Sequence, residues 1–192
     1  MNRDALIENL QRVSASAFLE DHLFDCVPHV FADDRASYVI WKRTLGTALE
    51  VDPACLTLVG SAALGYSLNP VKNLRQFDSS SDVDVAVVSH YHFTVAWRYL
   101  RTNSTRRVNV DTRTRTAWDE HKNRYIYWGT IATERLLGIL PFGLQWLRAT
   151  TQMGQIDPTK GRDVNLRIYS DYEALRSYQI LSVRNVRNAL YS

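Results

Sequence analysis

Apolar positions at the start of the chain recur at helical spacing. Leu6, Leu10, Val13, Ala17 and Phe24 predict a helix over residues 3–25. Pro28 and the Asp33–Asp34 pair interrupt it. Either aspartate suits the N-cap of a second helix over 36–50, with Tyr38, Trp41, Leu45 and Leu49 on one face and Pro53 beyond its end. The pattern then changes. Residues 55–59 form a short strand-like run that passes directly into Gly60-Ser61-Ala62-Ala63-Leu64-Gly65. A polar stretch over 67–81 reads as a loop, and 83–88 as a second strand, apolar except for Asp84. Helical spacing returns over 93–101, a polar break follows at 112–116, and 118–140 reads as one long aromatic-rich helix or two short ones. After the turn at Pro141-Phe142-Gly143, a helix is expected over 144–153 and a loop over 154–161. Residues 164–169 alternate as a strand with one buried face. Asp171 is the expected cap of a last helix reaching about residue 190.

Many helices around a few short strands imply an α+β fold, a small mixed sheet with flanking helices. At 192 residues the chain suits a single domain, with N-terminal helices over 1–50, a core over 51–115 and a helical part with the last strand and helix over 116–192. A composition of 45% hydrophobic and 22% charged residues argues against disorder as the main state. No apolar run approaches the ~20 residues of a membrane span, and the first residues lack the apolar stretch of a signal peptide. Cys26 and Cys55 have no metal-ligand spacing and are expected as reduced thiols, so the expected location is the cytoplasm. The net charge of +3 conceals a basic stretch: residues 98–115 hold six arginines and one acid, Asp111. Such a wall near an acidic spot points to an anionic partner.

The chemistry concentrates in two neighbouring runs. Asp82 and Asp84 stand two positions apart at the start of a strand, so both carboxylates face the same side. Their mutual repulsion is relieved by a divalent cation, and hard oxygen donors suit Mg²⁺ or Mn²⁺. In the other run, a strand leads into Gly60-Ser61 and a helix start. Gly60 lets a ligand approach the backbone, the Ser61 hydroxyl can donate to a phosphate oxygen, and the helix start offers backbone N–H groups. A metal-holding acidic pair beside a phosphate cradle is what nucleotidyl transfer requires.

This strand, Gly60-Ser61 turn and Asp82-x-Asp84 strand resemble the DNA polymerase β-type nucleotidyltransferase superfamily, over roughly residues 56–88. The segments Tyr125-Ile126-Tyr127-Trp128-Gly129-Thr130 and Val164-Asn165-Leu166-Arg167-Ile168-Tyr169 are similar to those of small stand-alone bacterial members, several of them encoded in anti-phage defence loci such as Hailong-type systems. The resemblance implies that Gly60 and Ser61 hold the phosphates of an NTP or dNTP and that Asp82 and Asp84 bind two metal ions. It further implies transfer of a nucleotide to a hydroxyl acceptor, such as an oligonucleotide or an RNA end, with release of pyrophosphate. A toxin-like transferase acting on tRNA or a protein and paired with an antitoxin or effector, and a catalytically inactive nucleotide sensor, are the alternatives.

Two departures stand out. The stretch between Ser61 and Asp82 is longer than the superfamily's short turn, and with Lys72 and Arg75 it is either a flap over the nucleotide or an inert insertion. The third carboxylate is not evident either. Asn165 aligns with its position; Asp163 could serve by a one-residue shift that turns its side chain to the other face, Asp111 serves if 108–111 is a strand, or the site has no third acid. Arg167 shares a strand face with Asn165 and Tyr169 and is a candidate for substrate contact. Arg106, Arg107, Arg113 and Arg115 either hold a nucleic-acid backbone or a triphosphate, or form a solvated basic loop. Arg176, Arg184 and Arg187 form an anion-facing stripe or a wet helix face. Tyr125, Tyr127, Trp128 and Trp146 either stack on a base or fill the core, and His90 and His92 read as surface residues.

Overall fold

In the computed structural model the structure describes residues 2–191, with the side chains of 106–108 and 122–123 outside the described set. Its centre is a four-stranded mixed sheet of β1 (Leu56–Val59), β2 (Val83–Val88), β3 (Thr130–Ala132) and β4 (Val164–Tyr169), in the order β1-β2-β4-β3. β1 pairs antiparallel with β2, β2 parallel with β4, and β3 antiparallel with β4. Eight α-helices surround it among the described residues: α1 (Arg3–Arg12), α2 (Ala15–Leu19), α3 (Arg35–Leu49), α4 (Gly60–Leu64), α5 (His90–Thr102), α6 (Thr112–Glu120), α7 (Gly143–Met153) and α8 (Tyr172–Leu190). The fold is α+β, with a small mixed sheet and flanking helices. No helix among the described residues is long and apolar enough to cross a membrane.

The register explains why the sheet has two unlike faces. Leu58 lies opposite Val85, Val85 beside Leu166, and Val87 beside Ile168, which faces Ile131. All of these are buried and merge with Trp41, Leu45, Trp146 and Met153 in one hydrophobic cluster. The other face carries Val59 opposite Asp84, Asp84 beside Asn165, and Ala86 beside Arg167. Polar side chains tolerate this face because it opens into a cleft.

Local sequence accounts for most helix ends. Asp34 caps α3 by accepting from the Ser37 N–H, and Asp171 caps α8 by accepting from the Ala174 N–H. The helix expected over 3–25 is instead divided. Ser14 accepts from the Ala17 N–H and starts α2, and a π-helical turn spans Glu20–Phe24. The local cap wins over the continuous apolar spacing. Arg176 and Arg187 of α8 tie down this N-terminal layer, Arg176 in an ion pair with Glu20 at 2.9 Å and Arg187 by donating to the Val13 carbonyl at 2.6 Å. Of the expected arginine stripe, these two therefore hold the fold together.

The largest departure lies in 112–140. Residues 112–116 are not a break but the first turns of α6, because Asp111 accepts from the Arg113 and Thr114 N–H groups and from the Thr114 hydroxyl. Residues 118–140 are not a long helix. α6 ends at Glu120, and a π-helical turn spans His121–Tyr125. Gly129, at φ 63°, then turns the chain into β3. Buried His121 holds this arrangement: its Nδ1 meets the Ala117 carbonyl and its Nε2 accepts from the Ala132 N–H at 2.9 Å. The Nδ1–H tautomer satisfies both contacts, and burial holds the imidazole pKa below its usual value.

His92 also departs from expectation. It is buried on α5, bonded to Ser89 and packed against the rings of Phe142 and Trp146. Trp146 belongs to the core, whereas Tyr127 and Trp128 are exposed.

Candidate functional site

Residues 65–77 fold back as an arm. Ser67 N–H donates to the Arg75 carbonyl at 2.9 Å, Phe77 N–H donates to the Gly65 carbonyl at 2.8 Å, and Tyr66 bridges to Gln76. The turn at its tip, Pro70–Lys72, brings Lys72 over the polar face of the sheet, while Arg75 is turned toward Ser81. The stretch between Ser61 and Asp82 thus forms one wall of the cleft. The arm leads into a tight turn in which Asp78 accepts from the Ser80 N–H and hydroxyl and from the Ser81 hydroxyl, which holds its pKa below the usual carboxylate value. Arg162, just before β4, donates to the Asp78 and Ser81 carbonyls and lies over the Phe77 ring. One guanidinium thus fixes the entrance of β2 relative to that of β4.

A cleft of about 460 Å³ opens between this arm, α4, α8 and the polar sheet face. Gly60, Ser61, Lys72, Asp84, Glu134, Asn165 and Arg167 all line it. Gly60 adopts φ +66°, and a Cβ placed there would stand 2.9 Å from Asp84 Oδ2. The Gly-Ser turn and the carboxylate are therefore in direct contact. α4 is only five residues long, so its dipole is weak, and the cradle rests on the bare Gly60 backbone and the Ser61 hydroxyl. That hydroxyl has no hydrogen-bond partner among the described residues, and neither do the side chains of Lys72, Glu134 and Asn165.

Asp84 is the electrostatic focus. Burial pushes its carboxyl above the usual pKa, and the nearby carboxylates of Glu134 and Asp82 push in the same direction. Arg167 and Lys72 pull it down. Arg167 is held in place by donating to the Tyr178 hydroxyl at 3.0 Å, with its guanidinium against the rings of Tyr125 and Tyr178. Asp82 is exposed just ahead of β2, at the rim and not among the cleft-lining residues, although its charge reaches Asp84.

Neither candidate for a third carboxylate lines the cleft. Asp111 does not reach the cleft. It is spent as the cap of α6, and 104–109 form a 3₁₀ turn, not the strand that reading needed. Asp163 contributes its carbonyl to the Val83 N–H and opens on a neighbouring hollow. Asn165 stands beside Asp84 in the β2–β4 register, an amide where an acid was sought. A carboxylate that does line the cleft, and whose charge helps to raise the Asp84 pKa, is Glu134, which the sequence reading did not single out. It follows Thr133, whose N–H and hydroxyl both bond the Leu166 carbonyl at 3.2 and 2.7 Å and extend the β3–β4 edge. Arg113 and Arg115 lie exposed on α6 and do not line the cleft. Arg106 and Arg107 lie outside the described residues.

Among the described residues no three His, Cys, Asp or Glu side chains converge into a ready-made metal cage. The donors at hand fit a hard divalent cation in another way. A half-buried carboxylate, crowded by two further acids and without a hydrogen-bond donor, gains from a cation, and Mg²⁺ commonly takes its remaining ligands from phosphates and water. No protein-family model matches the chain, and no curated protein or solved structure is similar enough to it to count as a match.

Proposed function

We propose that the chain is a divalent-cation-dependent nucleotidyltransferase of the polymerase β type. It would move a nucleotide from an NTP or dNTP to a hydroxyl acceptor, such as the end of an oligonucleotide or RNA. The observation that carries this reading is the contact between Gly60 and Asp84 at the floor of a cleft that also holds Ser61, Lys72 and Arg167. Gly60 and Ser61 receive the triphosphate, with Lys72 on the arm and Arg167 on β4 as its counter-charges. Asp84 and Asp82 would hold Mg²⁺ or Mn²⁺, which when bound neutralises phosphate charge and makes the attacking oxygen more acidic. The acceptor oxygen bonds to the α-phosphorus, the bond from that phosphorus to the pyrophosphate oxygen breaks, and Glu134 takes the hydroxyl proton.

Asn165 favours a second reading, a nucleotide sensor without turnover, since it removes the acid expected on β4. Glu134 favours the transferase. Incubating the purified chain with Mg²⁺ and labelled NTPs or dNTPs separates them. Pyrophosphate with labelled oligomers, or with label on an added RNA or protein, is the transferase outcome. Nucleotide binding without pyrophosphate is the sensor outcome, and no binding removes both.

Glu134→Gln is a sharper test of the carboxylate. It is expected to lower kcat by about 10²-fold, as removing a general base does. Glu134 is exposed, so the melting temperature should stay within the ±0.5 kcal/mol equivalent usual for surface changes. Unchanged turnover in this variant would remove Glu134 from the mechanism.

A further inference from the structure

A second cavity, of about 540 Å³, shares no lining residue with the cleft. It lies between α3, the C-terminal end of the Glu20–Phe24 turn, Thr57 of β1 and the first turns of α8. Phe24, Tyr38 and Tyr172 contribute aromatic rings, and Arg35, Lys42 and Arg176 contribute cations. Arg176 is already engaged by Glu20. Arg35 and Lys42 have no ion-pair partner among the described residues.

Neither free cation is placed where the fold alone would want it. Arg35 is the first residue of α3, at the positive end of the helix dipole, where a cation is unfavourable. Lys42 is half-buried over the Tyr38 ring, and burial pulls its ammonium pKa down. Asp25 is the one carboxylate among the lining residues, and it is exposed; Asp52, outside the lining, acts on Lys42 by its charge without forming an ion pair. Burial pushes the Cys26 thiol up, so it adds no charge at neutral pH. Local rules broken together in one cavity point to a ligand that compensates them.

We propose that this cavity binds a nucleoside monophosphate, its phosphate between Arg35 and Lys42 and its base against the rings of Tyr38 and Tyr172. Two unpaired cations select a phosphate. Flat aromatic walls and a volume well beyond that of a bare anion select the attached base. The site does not depend on the transferase reading.

Calorimetric titration of the full chain without divalent metal tests it, using AMP, GMP, CMP, UMP, inorganic phosphate and adenosine as separate probes. At least one monophosphate is expected to bind, about tenfold or more tighter than inorganic phosphate or adenosine. Arg35→Ala/Lys42→Met should weaken that binding about tenfold or more. Ser61→Ala/Lys72→Ala, which alters only the cleft, should leave it within about twofold. Arg35 is exposed, so Arg35→Ala alone gives the same direction should the double variant melt early. The proposal is overturned if no monophosphate binds, if phosphate binds as tightly as the nucleotides, or if the Arg35 and Lys42 variants bind normally. Loss confined to the Ser61/Lys72 variant would assign the binding to the cleft and overturn the second site while leaving the first reading intact.

Discussion

Asp84→Asn is expected to abolish nucleotide transfer while making the protein more stable at neutral pH. The two effects have one cause. Asp84 is half-buried, and burial, with the charges of Glu134 and Asp82, raises its carboxyl pKa. A group whose folded pKa is raised gives stability that is complete below its ordinary pKa and is lost as pH rises through the folded value. At pH 7 the ionised Asp84 therefore costs the fold free energy, and the isosteric amide removes that cost. A rise of about 2–4 °C in melting temperature, the effect of ~1 kcal/mol in a domain of this size, is the expected scale. The difference from wild type should shrink as the pH falls through the raised Asp84 pKa and below the ordinary carboxylate range, where the protonated acid is as neutral as the amide. Activity moves the other way, by roughly a thousandfold or more, equivalent to ~4 kcal/mol of lost transition-state stabilisation. Added Mn²⁺ should raise the melting temperature of the wild type more than that of the variant. A variant that is less stable at pH 7, or as active as wild type, would contradict the assignment of Asp84.

Gly60→Ala should damage both properties together. At φ +66° a residue with a Cβ is strained by about 1 kcal/mol, and the new methyl meets Asp84 Oδ2 at 2.9 Å. Either the carboxylate or the turn must shift. The expected loss is ~1–2 kcal/mol, or roughly 2–8 °C in melting temperature. Displacing Asp84 should also reduce transfer by about 10²-fold or more. Gly138→Ala is the matched control, since a Cβ there meets nothing within 4 Å and its φ lies outside the left-handed region. Combining Gly60→Ala with Asp84→Asn should cost less activity than the product of the two, because both act through one carboxylate.

The central strands, the capped helices α3 and α8 and the Gly60-Ser61 turn were legible because each carries a local signal. These signals are a short apolar run in β1 and β2, the two-residue alternation in β4, an aspartate at an N-cap and a glycine at the end of a strand. What was not legible depends on distant partners. β3 is three residues long, and it is a strand because β4 offers an unpaired edge and His121 holds Ala132. Nothing within 118–140 announces that, and dense aromatic residues there imitate a helix. Glu134 inherits its place from Thr133 gripping the Leu166 carbonyl, 33 positions away in sequence, so no spacing rule reaches it. Asp111 misled for the opposite reason. The alternation at 108–111 resembles a strand, yet an aspartate followed by Thr-Arg-Thr is a strong helix start.

The arm between Ser61 and Asp82 is closed at its base by the Tyr66–Gln76 bridge and the bond from Phe77 N–H to the Gly65 carbonyl. Length added or removed at the Pro70–Lys72 tip is thus insulated from the strands below, at a closure cost of only ~0.6 kcal/mol per doubling. If the cleft takes the proposed nucleotide, selectivity can drift through this fingertip while Gly60, Ser61 and Asp84 stay where they are, which makes it a natural graft point for retuning the chain.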